Sequence, residues 1–169
     1  MADYFTQIVV QPSIPNGCMT PLERWLLGQM FEAEEDDDDT TYLFTSEGVC
    51  TLADRDDPEL EAALRDDASL LAARVRDAVS RSDSGWLDLD GIEYDEVFQA
   101  IVARHSDRLP YVTVEKAYTC SKMRPDGFGG AAEVITADRV RWTSTTSWLE
   151  EQLAELEGDG AEGAGIAST

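Results

Sequence analysis

One stretch of this chain is almost neutral while everything around it is acidic, and that contrast limits both the fold and the partners. Between residues 110 and 149 the acids Glu115, Asp126, Glu133 and Asp138 meet Lys116, Lys122, Arg124, Arg139 and Arg141, a net of +1. Residues 1–59 net −12, residues 60–109 net −5 and residues 150–169 net −6, which together make −22. Such a surface repels nucleic acid and anionic membranes and attracts basic protein surfaces.

The acidity sits on a body that can fold. Of 169 residues, 43% are hydrophobic, enough for a buried core and too many for a wholly disordered chain. One α+β domain is expected over residues 1–157, with a flexible Gly/Ala-rich tail over 158–169. No apolar run reaches the roughly 18 residues of a membrane span. The start MADYFTQIVV has neither a basic region nor a small-residue cleavage site, so no secretory leader is expected. Cys18, Cys50 and Cys120 are odd in number, widely spaced and form no CxxC, which fits three reduced, buried thiols in a cytoplasmic protein.

Residues 4–10 are rich enough in β-branched and aromatic side chains for a strand, broken by Pro12, Pro15, Asn16 and Gly17. Thr20-Pro21-Leu22-Glu23 is a capping box with proline at the first helical position; Leu22, Trp25, Leu26 and Met30 line one side of the helix. Residues 32–39 are acidic except for Ala33, and mutual repulsion predicts a solvated, mobile run. Residues 42–45 and 49–52 read as two short strands about the turn Ser46-Glu47-Gly48. A second helix opens at Asp57-Pro58, with Leu60, Leu64, Leu71, Val75 and Val79 on its buried side, and ends at SRSDSG. After a loop at WLDLDG, the apolar face Tyr94, Val97, Phe98, Ile101, Val102 and His105 marks a third helix.

In residues 111–120 the even positions Val112, Val114, Tyr118 and Cys120 suggest a core-facing strand, interrupted by Lys116. Pro125-Asp126-Gly127 is turn chemistry, and Gly127, Gly129 and Gly130 allow unusual backbone angles. Residues 133–136 and 139–142 return as strands. Ser147-Trp148-Leu149-Glu150 is a second capping box, opening a helix to about Glu157. The expected fold is α+β: a mostly antiparallel sheet with about four helices packed on it.

The opening DYFTQ, with TCSKMRPDGFGG and the later WTST, resembles a family of uncharacterised small alphaproteobacterial proteins often carried on plasmids and mobile elements. The resemblance lies at the two ends of the chain and brings no assigned reaction. What it implies is a mobile-element context.

Motifs for catalysis and ligands fail on register. If Gly91 of DLDGIEYDE were position six of a calcium loop, Trp86 would be position one and Val97 position twelve, so the EF-hand pattern breaks. One histidine and scattered cysteines give no zinc set. Gly127-Phe-Gly-Gly130 is not GxGxxG, and there is no GxxxxGK[ST]. Cys120 and His105 would pair as thiolate and base only if the fold joined them, and both lie in apolar patterns. No metal or cofactor is expected.

Two functional readings remain. In the first, the carboxylates of Glu34, Glu35, Asp36, Asp37, Asp38, Asp39, Asp56, Asp57, Glu61, Asp66 and Asp67 imitate phosphates. They would fill the basic groove of a nucleic-acid-binding protein or ribonucleoprotein complex, a CRISPR effector or restriction enzyme for example. The protein would act by occupation rather than turnover and would itself bind neither nucleic acid nor membrane. The competing explanation of the same acids is solubility or salt adaptation. In the second reading, the turn flanked by Cys120, Lys122, Arg124 and Asp126 is the site of a small enzyme or ligand-binding domain.

Overall fold

A computed structural model describes residues 3–124 and 127–162 of the chain, with side chains to residue 156. The turn expected at Pro125 and Asp126 lies outside the described residues. The fold is α+β: the described residues form five α-helices, a seven-stranded antiparallel sheet and a separate two-stranded one.

The large sheet is built on β1 (Tyr4–Gln11) and β7 (Val112–Cys120), paired over their length from Tyr4↔Cys120 to Gln11↔Thr113. Beyond β7 lie β8 (Gly129–Ile135) and β9 (Val140–Ser144). On the other side β1 pairs β4 (Thr40–Thr45), which also pairs β2 (Ile14–Pro15) and β3 (Glu32–Asp36). Phe44 is opposite both Val9 and Glu32, and Thr41 is opposite both Ile14 and Glu35. A strand has two sides, so β1 and β2 share one side of β4 and β3 takes the other. The prolines therefore interrupt the first strand, and it resumes as β2 on the same partner.

The acidic run is consequently not the mobile segment its charge suggests. Residues 32–36 are strand β3, and Asp37, Asp38 and Asp39 form the turn into β4. Hydrogen bonding to β4 is enough to hold five residues whose side chains remain in water. Likewise residues 49–51 are not a strand. The chain becomes extended again at β5 (Leu52–Asp54), which pairs not with β4 but with β6 (Trp86–Asp88), inside the expected loop.

Helix α1 (Pro21–Met30) begins where the sequence places it. The Thr20 hydroxyl accepts from Glu23 N at 3.2 Å, and Glu23 accepts from Thr20 N at 2.9 Å. Glu23 is nevertheless buried, and an Arg104 guanidinium nitrogen lies 2.5 Å from its carboxylate. The capping box therefore also ties the start of α1 to the end of α4 (Tyr94–Arg104), which packs beside it. The expected second helix is two helices, α2 (Pro58–Leu64) and α3 (Leu70–Arg81). Asp67 accepts from Ser69 N at 2.8 Å, and the Ser69 hydroxyl caps α3 by accepting from Ala72 N at 3.1 Å. These side chains compete with the helical backbone bonds, which is why the apolar spacing runs on while the helix stops.

Helix α5 (Thr145–Glu162) starts earlier and ends later than expected. Its first turn is capped by Ser144, whose hydroxyl accepts from Ser147 N at 3.0 Å, so Ser147 lies inside the helix instead of capping it. Of the cysteines, Cys18 and Cys120 are buried but Cys50 is exposed, and all three are free thiols. Gly130 is required for space rather than for an unusual angle: a Cβ there would sit 2.9 Å from the Lys116 carbonyl oxygen across the ladder.

The core lies between α1, α4 and the face of the sheet that carries Ile8, Val10, Leu43, Val112, Val114 and Ile135. Phe31, Tyr94 and Phe98 pack edge-on or tilted, with ring centroids 5.6 to 6.2 Å apart. Lys116 lies on the same face of β7. Its ammonium is 2.6 Å from Glu133 and 5.1 Å above the Tyr94 ring, and the Tyr94 hydroxyl donates to both Glu133 oxygens at 2.9 and 2.7 Å. Paired in this way, a lysine is tolerated where the alternation requires an apolar residue.

Burial, then the hydrogen bond and charge of Glu133, hold the Tyr94 phenol far above its ordinary pKa. The folded state thus favours the neutral phenol. That contribution is complete below about pH 10 and is lost as pH rises beyond it. In an absorbance titration at 295 nm, one of the five tyrosines should ionise only as the protein unfolds. Tyr94→Phe should remove that last step and lower stability by about 1–2 kcal/mol in urea denaturation.

Candidate functional site

The hairpin of β3 and β4 presents the densest acid cluster, and its neighbours hold its shape. Asp39 occupies the left-handed region at φ 58, a conformation aspartate tolerates better than most residues. This allows a three-residue turn between the pair Asp36↔Thr40. Asn16 secures the tip: its backbone N donates to the Asp39 carbonyl at 2.9 Å and its side-chain amide to the Asp39 carboxylate at 3.0 Å. The amide oxygen of Asn16 accepts from the buried Thr41 hydroxyl at 2.6 Å. The hydroxyls of Ser13 and Thr40 donate to Asp36 at 3.2 and 3.4 Å.

Alternation along β3 sorts its carboxylates. Glu35 shares the face of buried Thr41 and Leu43, and Arg24 of α1 reaches it at 3.6 Å. Glu32, Glu34 and Asp36 project from the opposite face beside Tyr42 and Phe44, whose rings stack at 5.2 Å.

The remaining acids named from sequence divide into structural and free. Asp57 caps α2, accepting from Glu59 N at 2.8 Å, and also accepts from the Trp25 indole at 2.7 Å. Asp67 is used in the turn before α3. Among the described residues, Glu34, Asp37, Asp38, Asp56, Glu61 and Asp66 make no ion pair. All six are exposed. Helix α1 touches both β3 and α2 and so fixes the two acidic stretches relative to one another. An open groove of about 660 Å³ runs between α1 and α2, lined by Arg24, Trp25, Gln29, Glu59 and Ala62.

The loop after β7 is different. Cys120 is buried, Lys122 and Arg124 are exposed, and Asp126 lies outside the described residues. A Cβ on Gly127 would sit 2.8 Å from the Cys120 Cβ, so the glycine lets the loop fold back over the thiol. Gly130 lines a groove of about 380 Å³ between β8 and the start of α5, whereas Cys120, Lys122 and Arg124 do not. His105 follows α4 on the way into β7, and Cys120 lies at the far end of that strand, a rise of about 26 Å. The fold does not join them. Among the described residues no group of three or more His, Cys, Asp or Glu side chains is placed to hold a metal.

Asn16 and Ser13 were not legible as site residues, because their partners are 23 positions away. Residues 3–7, 119–124, 127–130 and 142–145 fall on or beside β1, β7, β8 and β9 of one sheet. Compared with protein-family models, curated proteins and solved structures, the chain matches none.

If Asn16 holds the tip, Asn16→Ala should leave the sheet intact and speed hydrogen exchange at the amides of residues 37–41. The loss of stability should be about 1–2 kcal/mol.

Proposed function

We propose that this protein is an acidic inhibitor that occupies the basic groove of a DNA- or RNA-binding protein or ribonucleoprotein complex. The reading rests on one observation: the acids of residues 32–39 lie on a hydrogen-bonded strand and a pinned turn. An antiparallel strand rises about 3.4 Å per residue and its side chains alternate, so Glu32, Glu34 and Asp36 give one face roughly one charge per 6.8 Å. One strand of DNA carries a charge about every 3.4 Å of axis, so this face offers about half that density, and Asp37 and Asp38 at the turn extend the array. A charge array held by the backbone meets a groove of Lys and Arg without first paying to be ordered, as a mobile acidic tail would have to.

Glu34, Asp37 and Asp38 on the hairpin and Asp56, Glu61 and Asp66 around α2 are the contact residues of this reading. Asp36, Asp39, Asp57 and Asp67 hold the array in place, and Glu35 contributes through its contact with Arg24. The protein acts in the cytoplasm by occupation, without turnover or cofactor. The resemblance to mobile-element proteins favours a defence complex as the target, such as a CRISPR effector or a restriction enzyme.

The test is capture on immobilised protein from a nuclease-treated host lysate at about 50 mM salt, followed by competition. A nucleic-acid-binding protein should be retained, released by about 0.5 M salt and displaced by DNA or RNA. The combined change Glu34→Lys, Asp37→Lys, Asp38→Lys and Glu61→Lys should weaken retention by about 100-fold or more. Retention that survives these lysines, or recovery of no nucleic-acid-binding protein at low salt, would overturn the proposal.

A further inference from the structure

Glycine is among the poorest helix formers, so one placed inside a short helix calls for a reason. Gly28 lies within α1, and its backbone is not in the left-handed region. A Cβ built on it would meet nothing within 4 Å. Packing inside this chain therefore does not require the glycine, whereas Gly130 is required by the Lys116 carbonyl. What Gly28 leaves is bare helix backbone along the open groove of about 660 Å³ between α1 and α2.

The lining of that groove is part apolar and part acidic. Met19, Trp25 and Ala63 supply apolar wall, Gln29 a carboxamide and Glu59 a carboxylate. Glu59 makes no ion pair among the described residues. Arg24 also lines the groove but is already engaged: it donates to the Asn16 carbonyl at 3.0 Å and lies 3.6 Å from Glu35. Acidic stretches adjoin both helices. Residues 32–39, which Arg24 reaches at Glu35, hold seven acids and no base. Residues 54–61, which run into α2, set Asp54, Asp56, Asp57, Glu59 and Glu61 against Arg55, a net of −4.

We propose that this groove receives an arginine-bearing segment of the basic partner, with one arginine laid over Gly28, its stem against Trp25 and Ala63 and its guanidinium at Glu59. The inference rests on the reading of the acidic surface as a stand-in for phosphates, and it names the side chain that surface takes in. Charge complementarity selects a cation, because any occupant enters between two acidic stretches. The apolar wall selects a cation carried on a long aliphatic stem. Arginine suits the site better than lysine. Its guanidinium is flat and more weakly hydrated than an ammonium, and its fork of donors matches a carboxylate. Arginines that meet phosphate in a nucleic-acid groove offer the same donors.

Two fluorescent peptides of about ten residues, one alternating Arg and Ser and the other Lys and Ser, serve as probes of the full chain by anisotropy at about 0.1 M salt. The wild type should hold the Arg peptide at least about fivefold more tightly than the Lys peptide. Gly28→Leu fills the groove and exchanges a poor helix former for a good one, so the circular dichroism should hold and the melting temperature should not fall. It should abolish the preference for arginine while leaving the affinity for the Lys peptide unchanged. In proton–nitrogen correlation spectra of the wild type, which need no variant, the Gly28 amide and the Trp25 indole should shift with the Arg peptide and saturate at the same dissociation constant. Equal affinity for the two peptides, a preference that survives in Gly28→Leu, or a Gly28 amide that does not move would overturn the inference. The reading beneath it fails separately. Glu34→Lys, Asp37→Lys, Asp38→Lys and Glu61→Lys together should weaken both peptides alike, and binding indifferent to them would sink that reading while the groove's preference for arginine stood.

Discussion

Pairing of β1 with β7 is the constraint the rest of the structure depends on. It joins Tyr4 to Cys120 and Gln11 to Thr113, so the beginning of the chain is locked to a segment roughly 100 residues later. Closing a loop of that length costs about 4 kcal/mol beyond a constant. Burying two side chains of the size of Ile8 and Val114 offsets about that much. Val10 and Val112 bury beside them under α1 and α4, and the intervening chain supplies those helices. The ladder then grows outward in both directions, to the acidic hairpin on one side and to β8, β9 and α5 on the other.

The chain's excess charge is compatible with this core because each acid on the core side has a partner. Glu23 is buried but held by its own helix start and by Arg104. Glu133 is held by Lys116 and Tyr94 together, which also docks α4 against the far half of the sheet. The other carboxylates stay in water. Their repulsion does not melt β3, since the strand's order comes from the backbone of β4, from Asn16 at the turn and from the hydroxyls of Ser13 and Thr40 on Asp36.

Much of the fold was legible where the signals are local. Thr20 and Glu23 announce α1, Tyr94 through Val102 announce α4, and the alternation of Val112 and Val114 announces β7. The errors share one cause. Charge repulsion is a local signal and predicted a mobile run at residues 32–39, but strand order is conferred by a partner. Continuous apolar spacing predicted one helix across residues 58–81, but Asp67 and Ser69 divert the backbone between its halves. The candidate acids were visible by composition, and their division into supports and free carboxylates was not. That Asp57 holds the Trp25 indole depends on α1 and α2 meeting.

The sequence by itself determined the charge map, the element types with strong local signals, and the near-neutral segment that could enter a core. These are properties of residues and their immediate neighbours, and sequence distance suffices to read them. Only the tertiary structure decided that the acidic run is a pinned edge strand, that Lys116 has Glu133 and Tyr94 to meet it, and that β9 pairs on one side alone among the described residues. Each depends on side chains far apart in the chain arriving at one place, and packing of the whole sheet is what brings them there.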